Sequence, residues 1–485
     1  MSERPVRVAV IGAGMSGILS VIKLREAGIE HVTVYEKADR LGGTWRENTY
    51  PGIACDVPSH LYCYSFALNP DWSHRYSPGA EIQAYFEQVA RDHDVERVIR
   101  FGDAVQRLEY TGGCWRLTTE SGHTDQVDVV IAATGVLHQP SVPPIDGIDD
   151  FAGAIFHSAR WDHDVALDGA RIGVIGTGST AIQITSAVVD RAERFSLFQR
   201  TAQWVLPSEN PSYTDDEKAH FRSDPDALSQ LHEEISEIFA EGFSNAVVDA
   251  ESPMMKMIEQ ACRDNLDQSV TDPELRERLR PDYVAACKRL IISPDFYQAI
   301  QKPNAELVTD RIDRIEPGGI RTADGRLHEL DVIVLATGFR VDRFLRPIEV
   351  VGRAGVRLDD VWADRPMAYL SISVPEFPNL FMLNGPNGPV GNFSLIEVAE
   401  LQFAYITQLV QRLRSGECTE VSPLHEATDE FEEQRVAAAQ KTVWVTGCNS
   451  WYLDDRGIPA SWPWPFSRFR DEMAAPDLSA YDLRR

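Results

Sequence analysis

GAGMSG at Gly12–Gly17 and GTGSTA at Gly176–Ala181 are two copies of one fingerprint. Each follows an apolar, β-like run, Val6–Ile11 and Ile172–Ile175, and each opens a helix-compatible stretch. Glycines at the first and third positions permit a tight turn and the close approach of a pyrophosphate. A small sixth residue lets the helix pack on the strand, and the helix N-terminus receives the phosphates. In both units the next β-like run ends 24 positions beyond the first glycine, where VTVYEK places Glu36 and FSLFQR places Arg200. A carboxylate accepts the hydroxyls of an adenosine ribose, whereas a guanidinium pairs with a 2′-phosphate. The expected fold is therefore α/β, with two Rossmann-like dinucleotide-binding domains. FAD is expected in the first and NADPH in the second.

The chain has 485 residues, enough for two or three domains. Its net charge of −27 argues against nucleic acid and anionic membranes as partners, since both recruit basic patches. No apolar run approaches the roughly 18 residues of a membrane-spanning helix, and a β-like run beginning at Val6 leaves no room for a signal peptide. The seven cysteines show no CxxC pair and no regular framework, the pattern expected in a reducing cytoplasm. Cys55 and Cys63 are separated by seven residues, unlike the CxxxxC pair of disulfide-reductase flavoproteins. The expectation is a cytoplasmic protein with no metal site and no thiol in its mechanism.

Composition shifts divide the chain. The strands Trp115–Thr119 and Val127–Ala133 are expected to complete the first unit, and VLHQPSVPPIDGIDD at Val136–Asp150 marks a boundary by its turn residues. A strongly helical stretch runs from about Asp215 to Arg280, with apolar residues at helical spacing in Ala227–Phe243. DVIVLATGF at Asp331–Phe339 resembles the earlier VDVVIAATG, as two related units should. PNLFMLNGPNGPVGN at Pro378–Asn392 reads as a strand entering a glycine loop, followed by a helix from about Ser394 to Arg414. The expected organisation is a FAD-binding domain at 1–145 and 340–485, a NADP-binding domain at 151–206 and 290–339, and a helical insertion at 207–289.

Two further segments lie between the units. GGTWRENTYPGIACDVPSHLY at Gly42–Tyr62 carries Asp56 just beyond a Tyr50–Pro51–Gly52 turn, and FAGAIFHSARWD spans Phe151–Asp162. Individually, Asp56 reads as a turn cap, His157 as a satisfied polar residue and Trp161 as core. As a set they become specific. Phe151, Gly153, His157, Trp161 and Asp162 resemble the FxGxxxHxxxW[PD] fingerprint of the Baeyer–Villiger monooxygenases, the class B flavoprotein monooxygenases. Gly42–Asp56 resembles that family's second signature, [AG]GxWxxxx[FY]P[GM]xxxD. Nitrogen- and sulfur-oxygenating relatives usually place Tyr or Phe where this chain has Trp161 followed by Asp162.

The resemblance implies roles. His157 and its fingerprint neighbours would couple the domains. AACKRLIISPDFY at Ala285–Tyr297 is similar to the segment whose Lys–Arg pair enters the active site, making Arg289 the catalytic cation, Asp56 its partner and Lys288 a ligand of the NADPH phosphate. NSWYLDDRGIP at Asn449–Pro459 is similar to the loop in which a tryptophan approaches the nicotinamide, implying Trp451; Asp454, Asp455 and Arg456 depart from the family's glycine-containing continuation. Expected cofactor contacts are Gly12, Gly14, Gly17, Glu36, Gly43, Thr44, Trp45, Asp56, Gly176, Gly178, Ser179, Thr180, Arg200, Lys288, Asn384 and Trp451.

The implied reaction is NADPH- and O2-dependent conversion of a small-molecule ketone to an ester or lactone through a C(4a)-peroxyflavin. Sulfide or amine oxygenation is the alternative. An NADPH–flavin electron-transfer reductase is a third reading from another class. No acceptor-docking motif and no obligate protein partner is evident.

Overall fold

The computed structural model describes residues 4–485. Arg7–Ile11 forms the central strand of a five-stranded parallel sheet, ordered 380–382, 129–132, 7–11, 31–35, 99–100. Val8, Ala9, Val10 and Ile11 are all buried, because helices and loops cover both faces of a parallel sheet. The second fingerprint strand, Arg171–Ile175, holds the equivalent place in a second five-stranded parallel sheet, ordered 305–308, 194–198, 171–175, 332–335, 154–157. Both fingerprint glycines sit against the last strand of their own unit. A Cβ on Gly12 would overlap the Ala133 carbonyl oxygen, and one on Gly176 would overlap that of Ala336. The repeated Ala-Thr-Gly after each of those strands is therefore where the unit closes on its fingerprint turn.

The expected strand pair of the first unit divides between two sheets. Val129–Ala132 joins the parallel sheet, but Cys114–Thr119 lies in a four-stranded sheet ordered 349–351, 105–111, 114–119, 124–127. The alternating burial of Cys114–Thr119 explains this, since Trp115, Leu117 and Thr119 face a core and the intervening residues do not.

The insertion leaves and rejoins the second unit at one place, where Val205–Leu206 pairs in parallel with Ile291–Ile292. Its helices are Asp215–Ser223, Pro225–Phe239, Pro253–Ser269 and Pro273–Arg278. Three of the four start where the sequence places acceptors for the first free N–H groups: Thr214 with Glu217 in a capping box, Asp224, and Asp272. Phe239 carries the insertion onto the flavin side through Phe393, with ring centroids 6.0 Å apart. The predicted helix after the glycine loop is Leu395–Ser415. Among the described residues no helix is long and apolar enough to cross a membrane, and no cluster of His, Cys, Asp and Glu could hold a metal ion.

Two chain segments connect the parallel sheets, and they run side by side. Pro140 bridges Phe339 in antiparallel fashion, Ser141 N–H donates to the Gly338 carbonyl at 2.8 Å, and Arg340 N–H donates to Gln139 at 2.9 Å.

The cysteines depart from the sequence expectation. Cys287 and Cys448 are joined in a disulfide across 161 residues, a separation too long for any local spacing to announce. The remaining five, Cys55, Cys63, Cys114, Cys262 and Cys418, are free. Thiol titration of the purified, denatured chain should count five groups without reductant and seven with it; seven in both conditions would show that the pair is not oxidised in the isolated protein.

His60 sits where the insertion meets the flavin side. Tyr213 and Phe221 pack edge-on to it at 4.9 and 5.0 Å, and the His232 ring nitrogen Nδ1 donates to its carbonyl oxygen at 2.6 Å. Burial, and then the nearby His232, push its pKa down from 6.5 to about 4. A depressed histidine contributes stability above its unfolded value and loses it as pH falls toward the folded one. His60 should therefore cost about 2–3 kcal/mol of stability between pH 6.5 and 4. Urea unfolding across that range should show a shallower acid limb in His60→Leu; an unchanged limb would mean that His60 does not titrate in this way.

Candidate active site

The first dinucleotide site is built from backbone. Gly14 begins the helix Met15–Glu26, and Gly43 precedes the single turn Thr44–Glu47. The two glycines face each other so closely that a Cβ on Gly43 would lie 3.0 Å from Gly14 Cα, which leaves a bare cradle suited to a pyrophosphate. Glu36 is buried at the end of its strand. Its oxygens accept from Ala13 N–H at 2.8 Å and Ala38 N–H at 2.9 Å, and Arg46 lies 3.2 Å away. Each carboxylate oxygen has two lone-pair sites, and with Arg46 also donating to Oε1 one site on Oε2 remains for a ribose hydroxyl. Trp45 donates its indole N–H to the Tyr62 hydroxyl at 3.2 Å. Asn384, buried at φ +52°, donates through its amide nitrogen to Ser16 Oγ at 3.4 Å, while its Oδ1 has no hydrogen-bond partner among the described residues. An unsatisfied buried acceptor beside the first fingerprint helix fits a cofactor donor.

The second site repeats the plan with the opposite charge. Gly178 caps Ser179–Val188 without a side-chain bond, and a Cβ there would meet open space, so the helix N-terminus is accessible to phosphate. Arg200 is exposed just beyond Arg194–Phe198. The Lys288 ammonium is pushed to lower pKa by burial and then by Arg200, so the two cations share one neighbourhood. Two positive groups held together suit a 2′-phosphate between them.

The loop expected to line the flavin also grips this second unit. Tyr50 donates to Gln183 Oε1 at 2.8 Å, Thr180 donates to the Tyr50 hydroxyl at 3.4 Å, and Gln183 donates to the Ala54 carbonyl at 3.0 Å. Two residues further on, Asp56 meets Arg289. One carboxylate oxygen, Oδ2, accepts from Arg289 Nε at 3.0 Å and Nη2 at 2.6 Å, and the Gly391 carbonyl accepts from Nη1 at 3.2 Å. The side chains keep 33% and 23% of their surface accessible, so the pair is only partly buried. Burial pulls the Arg289 pKa down, but Asp56 and then Tyr452 outweigh it and hold the group firmly cationic.

The fingerprint segment clasps the connection between the sheets. Phe151 is core, and Gly153 has no room for a Cβ beside the Asp331 carbonyl. Trp161 packs edge-on to Phe156 at 5.0 Å, and the exposed Asp162 accepts from Asp164 N–H at 3.0 Å. His157 Nδ1 accepts from Ala159 N–H at 3.1 Å, so its Nε2 carries the proton and donates to the Gly338 carbonyl at 3.0 Å. Burial lowers its pKa, against the pull of Gly338, which keeps the ring neutral. Trp451 is 39% exposed, with its ring 4.1 Å from that of Tyr452.

Sequence reasoning did not find Gln183, Gly391, Tyr452 or the Cys287–Cys448 pair. Only Tyr452 carried a usable signal, as the aromatic neighbour of Trp451.

Two parallel sheets, each with a glycine turn at a helix N-terminus and ending in residues of opposite charge, define a flavoprotein that also binds a nicotinamide dinucleotide. The chain belongs to the flavin-binding monooxygenase-like family, whose model matches residues 5–345, and within it to the Baeyer–Villiger, or class B, flavoprotein monooxygenases. It is 49% identical, over 100% of its length and 97% of the relative's, to an uncharacterized monooxygenase of Mycobacterium tuberculosis. It is 38% identical to a Baeyer-Villiger monooxygenase of Streptomyces coelicolor, over 99% of this chain and 93% of that protein. The crystal structure of cyclohexanone monooxygenase from Rhodococcus sp. Phi1 bound to NADP+ superposes with a TM-score of 0.89 at 30% identity, covering all of both chains. The protein is accordingly an FAD- and NADPH-dependent oxidoreductase with flavin monooxygenase activity.

Loss of a charge-assisted phosphate contact costs on the order of 1.5–3 kcal/mol, or roughly 10- to 100-fold. Arg200→Ala should weaken NADPH by about that factor, less where Lys288 compensates, and leave NADH nearly unchanged. Steady-state KM values for both coenzymes decide it; equal losses would remove Arg200 from the 2′-phosphate.

Proposed function

We propose that this enzyme inserts one atom of O2 beside the carbonyl of a small-molecule ketone, giving an ester or lactone, while NADPH supplies two electrons and the second oxygen atom leaves as water. The observation that carries this reading is the Arg289–Asp56 pair, brought into contact from the end of the insertion and from the loop that follows the first cofactor turn. The names of the Streptomyces and Rhodococcus relatives support it.

When bound, FAD supplies the electron relay and the activation of oxygen. Gly12, Gly14, Gly17, Gly43, Thr44, Trp45, Glu36 and Asn384 would hold it, and Gly176, Gly178, Ser179, Thr180, Arg200 and Lys288 would hold the nicotinamide coenzyme, with Trp451 at its reactive end. Arg289 faces the negative charge that develops on oxygen as the carbonyl is attacked. A preorganised cation aimed at such charge is commonly the largest catalytic contribution. Asp56 holds the guanidinium through two of its N–H groups, which keeps the positive charge at this place during reaction. Hydride delivery and oxygenation both use the space beside this arginine, so the units have to shift relative to one another. Phe151, Gly153, His157, Trp161 and Asp162 would transmit that shift, with His157 attached to the two-stranded connection at Gly338.

Arg289→Ala removes the charge, and Arg289→Lys keeps it without the planar fork that holds a carboxylate. Both variants should retain FAD and be reduced by NADPH. Ester formation from cyclohexanone should fall by about 100- to 1,000-fold, with NADPH consumption diverted to hydrogen peroxide or halted. Gas chromatography of products beside stopped-flow reduction tests this; ester at the parental rate in Arg289→Ala would remove Arg289, and with it Asp56, from the reaction. A wild-type enzyme that oxygenates sulfides or amines but not ketones would move the assignment to heteroatom oxygenation.

A further inference from the structure

The Lys288–Arg289 segment and the loop around Trp451 are distant in sequence but joined in the fold. The Cys287–Cys448 disulfide ties the residue before Lys288 to the loop three residues before Trp451. Next to Trp451, the Tyr452 side chain turns inward. It is buried, with its ring 5.2 Å from that of Trp444. Its hydroxyl donates to the Gly391 carbonyl at 3.3 Å, the same oxygen that accepts from Arg289 Nη1 at 3.2 Å. Contact with the glycine loop is so close that a Cβ at residue 391 would overlap the phenol oxygen, and Gly391 itself lies at φ +92°.

We propose that Tyr452 is a positioning residue for Arg289: its hydroxyl fixes the Gly391 carbonyl, and that carbonyl holds the edge of the guanidinium that Asp56 does not. This rests on the oxygenating role proposed for Arg289. Asp56 engages Nε and Nη2 through a single oxygen, an arrangement that leaves the guanidinium free to swing about that point. A second anchor in another direction removes that freedom, because the five N–H donors of arginine are fixed in one plane. The anchor is neutral. Burial raises the Tyr452 pKa although Arg289 pulls the other way, so the phenol keeps its proton and leaves the cation's charge uncompensated on this side. The disulfide and Trp444 hold the loop in the register that brings the hydroxyl to Gly391. Through Tyr452, the loop carrying Trp451 and the segment carrying Arg289 share a common position.

Tyr452→Phe preserves the ring and deletes the hydroxyl. In the FAD-loaded enzyme with NADPH and cyclohexanone, flavin reduction and the KM for NADPH should stay within about twofold of the parent, while kcat for ester falls about 3- to 10-fold and hydrogen peroxide rises. The melting temperature should change little. A crystal structure of the variant should show Arg289 turned away from the Gly391 carbonyl or in more than one orientation. Gly391→Ala, which displaces the phenol oxygen, should reproduce both the uncoupling and the movement. An unchanged ratio of ester to NADPH together with an unmoved guanidinium overturns the proposal, as does a lower melting temperature with a parallel loss of reduction, which would assign Tyr452 to packing alone. If the parent enzyme reduces its flavin but forms no ester, the ketone reading fails, and the position of Arg289 in the two variants still decides the role of Tyr452.

Discussion

The ion pair between Arg289 and Asp56 joins residues 233 positions apart, and much of the architecture serves to bring them together. Asp56 lies on the loop that follows the first sheet's cofactor turn, and Arg289 lies where the helical insertion returns to the second unit. Neither group can be left alone at such a place. A partly buried guanidinium without its carboxylate, or the reverse, is an uncompensated charge whose desolvation is several kcal/mol unfavourable. The pair therefore fixes the relative placement of the flavin loop, the insertion and the glycine loop at Gly391. It also supplies the positive charge that the proposed chemistry uses.

Around that pair the molecule is a duplication with one change of sign. Both sheets use the same device, a fingerprint glycine pressed on the carbonyl that ends a neighbouring strand, which leaves a helix N-terminus facing outward for phosphate. The copies differ at the strand end 24 positions later, where Glu36 is drawn into a backbone cage and Arg200 remains exposed beside Lys288. A buried carboxylate suits a sugar hydroxyl at a fixed position; a pair of neighbouring cations suits a phosphate. The units are joined by two paired segments, with His157 fastened to the pairing at Gly338, and by further contacts that include Tyr50 on Gln183, Arg289 on Asp56 and Phe239 on Phe393.

Local chemistry made much of this readable in advance. Gly12, Gly14 and Gly17, with Glu36 at a set offset, specify a strand, a turn and a helix whose relations are settled within a few dozen residues, and Gly176 to Arg200 do the same. Thr214, Asp224 and Asp272 mark the insertion's helices because a cap acts on its own N–H neighbours. Such features depend on short-range sterics and hydrogen bonds. They look the same in any fold that contains them.

What only the tertiary structure decided are the relations between distant segments. Nothing local to Cys287 or Cys448 marks them as partners, and the placing of Cys114–Thr119 outside the parallel sheet follows from which core Trp115 reaches. Tyr452 could have been one more aromatic in a loop; its hydroxyl meets the Arg289 network because packing on Trp444 turns it inward and Gly391 leaves room for it. The sequence by itself determined two dinucleotide sites and their charges, since each is written in one continuous stretch. The meeting of Asp56, Arg289, Gly391 and Tyr452 had to await the fold, because they come from four separate stretches, and only close packing and the compensation of buried charge bring them to one point.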